Sequence, residues 1–130
     1  MKSISIVLAS YILCVLQSCI SLKEFKDQPS STCMNCNYLE EIIGYSLVVI
    51  SILLILILND RYKKTKIFLI IMLFIICCLS VNFSIFKSRV TSWSTFTTKD
   101  ELLSTLELSF FPLTIISMFF TFLLLKVIKL

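Results

Sequence analysis

The chain has 130 residues, of which 58% are hydrophobic and 15% charged, with a formal net charge of +4. Soluble proteins run roughly 45–50% apolar and about 25% charged, and a small soluble domain buries only about 60–70% of its chain surface, so the surplus needs lipid as its solvent. The absence of histidine removes Ser/His/Asp triads, Cys–His nucleophile pairs and histidine-ligated haem or zinc, and a single glycine, Gly44, removes P-loops and dinucleotide fingerprints.

The first element runs from Ser3 to about Leu22, behind Lys2, within a signal-anchor or signal-peptide unit of residues 1–22. Leu16-Gln17-Ser18-Cys19 has the form of a bacterial lipoprotein box, with Gln17 as its departure. Cleavage there makes Cys19 a lipidated N-terminus and leaves three spans. Retention makes it an ordinary side chain of the first of four. A polar outer loop follows over residues 23–39, ending in Cys33-Met34-Asn35-Cys36.

The second span covers residues 40–58, with Asn37 as its cap and Glu40 returning the hydrogen bond. Residues 59–66 form a short turn carrying Arg61, Lys63, Lys64 and Lys66. The third span is 67–86. The second outer loop, 87–108, contains Thr98 to Glu101 as another capping box, and Leu102, Leu103, Leu106 and Phe110 then share one helical face. That pattern predicts a short amphipathic helix at the interface, before a fourth span over 109–128 with Pro112 in its first turn. Thr114, Ser117 and Thr121, Cys77, Ser80 and Ser84, and Gly44 with Ser51 are expected to line the seams between helices. Phe86, Trp93, Phe96, Phe110 and Phe111 are expected at the interfaces.

The fold class expected is all-α: a small polytopic membrane protein with four transmembrane helices and both termini inside. The basic turn between spans two and three is the strongest vote for that orientation, because cationic residues stay on the cytosolic side. The cations flank apolar runs and form no stripe with interleaved aromatics, which excludes nucleic acid as a partner. The expected setting is multi-pass in the bacterial inner (cytoplasmic) membrane. The expected partners are the bilayer and another membrane protein or a second copy.

One constellation carries chemistry. Cys33 and Cys36 lie on the side away from the cytosol, just before a helix N-terminus, which favours a thiolate, and beside Glu40 and Glu41, which oppose one. Three readings stand: thiol–disulfide exchange, half of a metal site completed by another chain, and a disulfide or two free thiols with no further role. Nothing in the chain indicates a cofactor of its own or a complete metal site. The stretch Cys33-Met34-Asn35-Cys36-Asn37-Tyr38, at the mouth of the second span of four, resembles the DsbB-type and, more loosely, the vitamin K epoxide reductase-like disulfide-forming membrane proteins. The resemblance implies redox work at Cys33 and Cys36 with a quinone as electron acceptor. Two departures accompany it: Glu40 and Glu41 stand where those proteins place a basic residue, and the loop Lys87–Leu108 lacks their second cysteine pair. The other expectation is a non-catalytic accessory or interaction protein that docks through Thr98–Phe110.

Overall fold

In lipid no water is present to satisfy exposed N–H and C=O groups, so a single apolar segment crosses as a helix. The computed structural model describes residues 2–33, 35–58 and 65–129, and there the chain takes that solution repeatedly. The helices are α1 (Lys2–Ser21), α2 (Tyr38–Leu58), α3 (Thr65–Arg89) and α4 (Thr98–Lys129), with single 3-10 turns at Lys23–Phe25 and Thr91–Trp93. No strand occurs among the described residues. Among the described residues three stretches, Ile4–Ser21, Ile67–Trp93 and Thr98–Val127, are long and apolar enough to cross a membrane. The basic turn expected over 59–66 lies almost wholly outside the described residues, as does Met34.

Each helix packs on its sequence neighbours, and α1 closes the bundle against α4. Ser5 and Ile6 share a groove with Leu124 and Val127, so the start of α1 and the end of α4 meet at one end of the bundle. The two long connections meet at the other, called here the loop end.

The core is built on helical spacing. Ile70, Phe74, Cys77, Cys78, Val81, Ile85 and Phe86 of α3 are buried, and Phe74 stacks on Phe120 of α4 with ring centroids 4.2 Å apart. Polar side chains are inside too: Gln17, Ser18 and Ser21 on α1, Asn82 on α3, and Glu101, Thr105 and Ser109 on α4. Many other long apolar side chains face outward, among them Ile12, Leu16, Val48, Phe68, Ile115 and Phe122. Between helices in lipid, packing and hydrogen bonds drive association, so this inside-out arrangement is the one expected.

Several expected details are corrected. The small-residue seams are only partly seams. Cys77 and Asn82 are buried, but Ser51, Ser80 and Thr114 face out and bond to their own backbone carbonyls. Gly44 has nothing within 4 Å of where a Cβ would stand. A hydroxyl that turns back on its own helix needs no neighbour, so spacing alone does not identify a seam. The short interfacial helix and the fourth span are one continuous helix, α4, and Pro112 lies well inside it. Its N-cap is Thr97, whose hydroxyl oxygen accepts from the Asp100 amide, so the cap sits one residue earlier than the expected Thr98–Glu101 box. Glu101 is thereby released to the bundle interior. The expected cap of α2 is found on its return side, with the Asn37 amide donating to Glu40 Oε2 at 3.1 Å.

Asn82 Nδ2 donates to Ser109 Oγ at 2.7 Å, joining α3 to α4, while Asn82 Oδ1 has no partner among the described residues. Ser109→Ala strands the whole amide. The variant is expected to lose about 1 kcal/mol, the scale of a hydrogen bond between membrane helices. Chemical or thermal unfolding in detergent reads this, and an unchanged midpoint would show that the bond holds nothing.

Candidate functional site at the loop end

The loop end is organised around one carboxylate. Glu41, in the first turn of α2, and Arg89, the last residue of α3, are both buried, and Arg89 Nε donates to Glu41 Oε2 at 2.7 Å. Glu41 Oε1 accepts from the hydroxyls of Ser30 (2.9 Å), Thr32 (3.2 Å) and Ser88. Arg89 Nη1 donates to the carbonyls of Lys26 and Gln28. One ion pair therefore ties the first connection, at Lys26, Gln28, Ser30 and Thr32, to the helix that precedes the second.

The rest of the layer follows the same plan. The Ser31 amide donates to Ser88 O at 2.9 Å, the Ser31 hydroxyl to Ser92 Oγ at 2.8 Å, and the Trp93 indole N–H to Pro29 O at 3.0 Å. Phe86 is met edge-on by Phe25 from one connection and by Phe96 from the other, at centroid distances of 5.7 and 6.0 Å. A cleft of about 440 Å³, lined by Gln28, Pro29, Arg89, Val90, Trp93 and Ser94, opens beside the indole.

Cys33 and Cys36 are bonded to each other, each half-buried, immediately before α2. Thr32, next to Cys33, is held by Glu41. Tyr38, two residues after Cys36, donates its hydroxyl to Ser18 O of α1 at 3.1 Å and lies under the Arg89 guanidinium, 5.2 Å from its ring centroid. Burial raises the Tyr38 phenol's pKa, so it stays a protonated donor. The disulfide is thus framed on both flanks by residues fixed to other helices.

A cation does reach the aromatic residue after the C-x-x-C, but it comes from α3, forty-eight positions beyond Glu41 in the chain. Its charge is paired with that of Glu41. Cys19 is half-buried on α1, next to the carbonyl that receives Tyr38. Cys14, Cys77 and Cys78 are buried free thiols deeper in the bundle, where the Ser46 hydroxyl points at Cys14 Sγ at 3.9 Å. No group of three or more metal-binding side chains comes together among the described residues.

Sequence reasoning missed the Glu41–Arg89 pair. A signal was present: acids (Glu40, Glu41) and bases (Lys87, Arg89) at the boundaries of two apolar runs, at the same end of the bundle. Such charges sit where burial is costly unless they meet. Ser30 and Ser88 carry no such signal and are found only by geometry. No protein family, curated protein or solved structure matches this chain.

Proposed function

We propose that this is a small multi-pass membrane protein of accessory type, which works by presenting the layer at its loop end to another membrane protein. In this reading it has four spans, α2 being the fourth, with both termini in the cytosol and the loop end on the far side of a bacterial cytoplasmic membrane. The single observation that carries it is the buried Glu41–Arg89 pair with its ring of hydroxyls. Buried ion pairs add little net stability against an apolar replacement, but this one also holds three hydroxyls and two loop carbonyls in place. Here the geometry defined is that of two loops. The first helix is retained as an anchor in this reading, which is supported by its place in the core: Cys14, Gln17, Ser18 and Leu22 are all buried. Processing at Cys19 would remove the first three of them.

Photocrosslinkers at the exposed positions Asn35, Ser92 and Thr95, used in intact cells, test the docking reading. One discrete membrane-protein adduct, lost in a variant that cannot form the ion pair, is the expected result. Random or absent adducts at all three positions would sink it.

A second reading is supported by the bonded Cys33–Cys36 pair at the start of α2. There, a partner's thiolate attacks one sulfur of the bridge, forming a mixed disulfide and releasing the other cysteine as a thiolate. The partner's second thiolate attacks the partner sulfur of the mixed disulfide, leaving the partner oxidised and the pair as two thiols after uptake of two protons. Cys33→Ser/Cys36→Ser separates the readings. An accessory protein keeps its crosslink, because opening a bridge of such short span costs only about 2 kcal/mol in a loop held independently by Glu41. A redox protein loses disulfide formation in its clients completely. A membrane-impermeant maleimide that labels Cys33 and Cys36 only after mild reduction would establish both the bond and the side of the membrane.

A further inference from the structure

The first turns of α4 are amphipathic in the opposite sense to a helix of a soluble protein. Glu101, Thr105 and Ser109, at intervals of four, are buried in the bundle. Leu102, Leu103 and Leu106 point away from it, 52%, 53% and 41% exposed; Leu102 and Leu106 lead on to Phe110 at 70%, while the exposed Glu107 stands between Leu103 and Phe111, which is 73% exposed. Three adjacent leucines so exposed call for a cover other than bulk water, such as a partner or the membrane interface.

The length of α4 says where the face lies. Its 32 residues extend roughly 48 Å, against a hydrocarbon core of about 30 Å. The exposed charges nearest the middle are Glu107 on one side and Lys126 on the other, and the stretch between them is the part that fits the core. Leu102, Leu103 and Leu106 therefore stand just beyond the hydrocarbon, within the headgroup layer. Pro112 agrees with this placement. It has no N–H to give the carbonyl of Leu108, which at this boundary headgroups and water can satisfy. The charge on the layer is mixed: Lys23, Lys26, Lys87 and Lys99 are exposed alongside Glu24, Asp27, Glu40, Asp100 and Glu107. Such a rim has no strong demand for anionic lipid.

We propose that the Leu102–Leu103–Leu106 face is covered by the zwitterionic headgroup region of the adjoining leaflet. The loop-end layer, with its Cys33–Cys36 bridge, is then held at the membrane surface and does not project into the aqueous space. Partners of that layer are accordingly membrane-borne proteins, which deepens the docking reading above and rests on α4 crossing the bilayer.

Trp93 is the only tryptophan, which makes the test direct. Full-length protein is reconstituted in phosphatidylcholine vesicles whose acyl chains carry bromine either near the headgroup or near the chain ends. Leu103→Trp in a Trp93→Phe background is expected to lose emission to the shallow bromines more than to the deep ones, and to resist aqueous iodide. Unmodified Trp93, exposed on the same layer, is expected to show the same order with weaker quenching. Phe119→Trp in the Trp93→Phe background, inside the stretch between Glu107 and Lys126, is the control and should answer to the deep bromines. If Phe119→Trp behaves so but Leu103→Trp is quenched by iodide alone, the face meets water and the proposal fails. If Leu103→Trp answers to neither quencher, protein covers the face, a second copy included, and the proposal fails equally. Failure of the Phe119→Trp control would instead remove the span itself.

Discussion

Arg89→Ala is expected to destabilise the protein by about 3–5 kcal/mol, the usual cost of removing one partner from a buried ion pair. Three effects act together. Glu41 keeps its burial and its hydroxyl partners but loses the opposing charge. The carbonyls of Lys26 and Gln28 lose their donor. The Tyr38 ring loses the cation above it, a contact of order 0.5–2 kcal/mol. The loss should appear as a lowered unfolding midpoint in detergent and as rapid proteolysis between Lys23 and Asn37 in sealed vesicles with the loop end outward. The double replacement Glu41→Leu/Arg89→Met is the informative companion. It removes both charges at similar volume, so it should recover most of the global stability. It should not recover the loop's protection from protease, since nothing then holds Lys26 and Gln28. A wild-type midpoint for Arg89→Ala would show that the layer is held by other means. The docking reading would then lose its main support.

Phe74→Ala is expected to cost about 2–3 kcal/mol, less than the ~3–5 kcal/mol that Phe→Ala costs in a soluble core. The difference has a physical cause. In a bilayer, the separated helix still keeps its phenyl ring in an apolar solvent, so the transfer part of the penalty is largely absent. What remains is the cavity, at roughly 24 cal/mol per Å³, and the lost aromatic stack, of order 1 kcal/mol. Phe74 and Phe120 are fully buried against each other, so truncation leaves a void that lipid chains cannot enter. Phe74→Leu keeps most of the volume and should lose less than about 1.5 kcal/mol. Equilibrium unfolding in mixed micelles separates the two variants. Equal midpoints for Phe74→Ala and the parent would mean that α3 and α4 are not packed through this stack.

The two predictions address different halves of the molecule. Phe74 and Phe120 hold α3 to α4 in the half away from the loops, where α1 and α4 share the groove at Ile6 and Leu124. Glu41 and Arg89 hold the loop end. Phe74→Ala should therefore leave the photocrosslink at Ser92 in place at temperatures where the bundle is folded, whereas Arg89→Ala should abolish it.

The all-helical class, the positions of the apolar runs and the coincidence of the C-x-x-C with the start of a helix were legible in the residues themselves. These follow from short-range physics: an apolar run in lipid must be helical, and a polar stretch with Pro29 and several serines must not be. The Cys33–Cys36 bridge was open to that kind of reasoning as well, because a separation of three residues is local. Tertiary structure decided the rest. Which small residues face a neighbour depended on how each helix was rotated, and hydroxyls that can bond their own backbone gave no sign of it. The cap at Thr97 and Asp100, and not at Thr98 and Glu101, placed an acid inside the bundle, and the two registers look alike in sequence. The pairing of Glu41 with Arg89 joins residues forty-eight positions apart, and no local pattern encodes it. It exists because α2 and α3 are antiparallel neighbours that bring their loop-end boundaries together, and because two charges at a lipid boundary lose less by meeting than by staying apart.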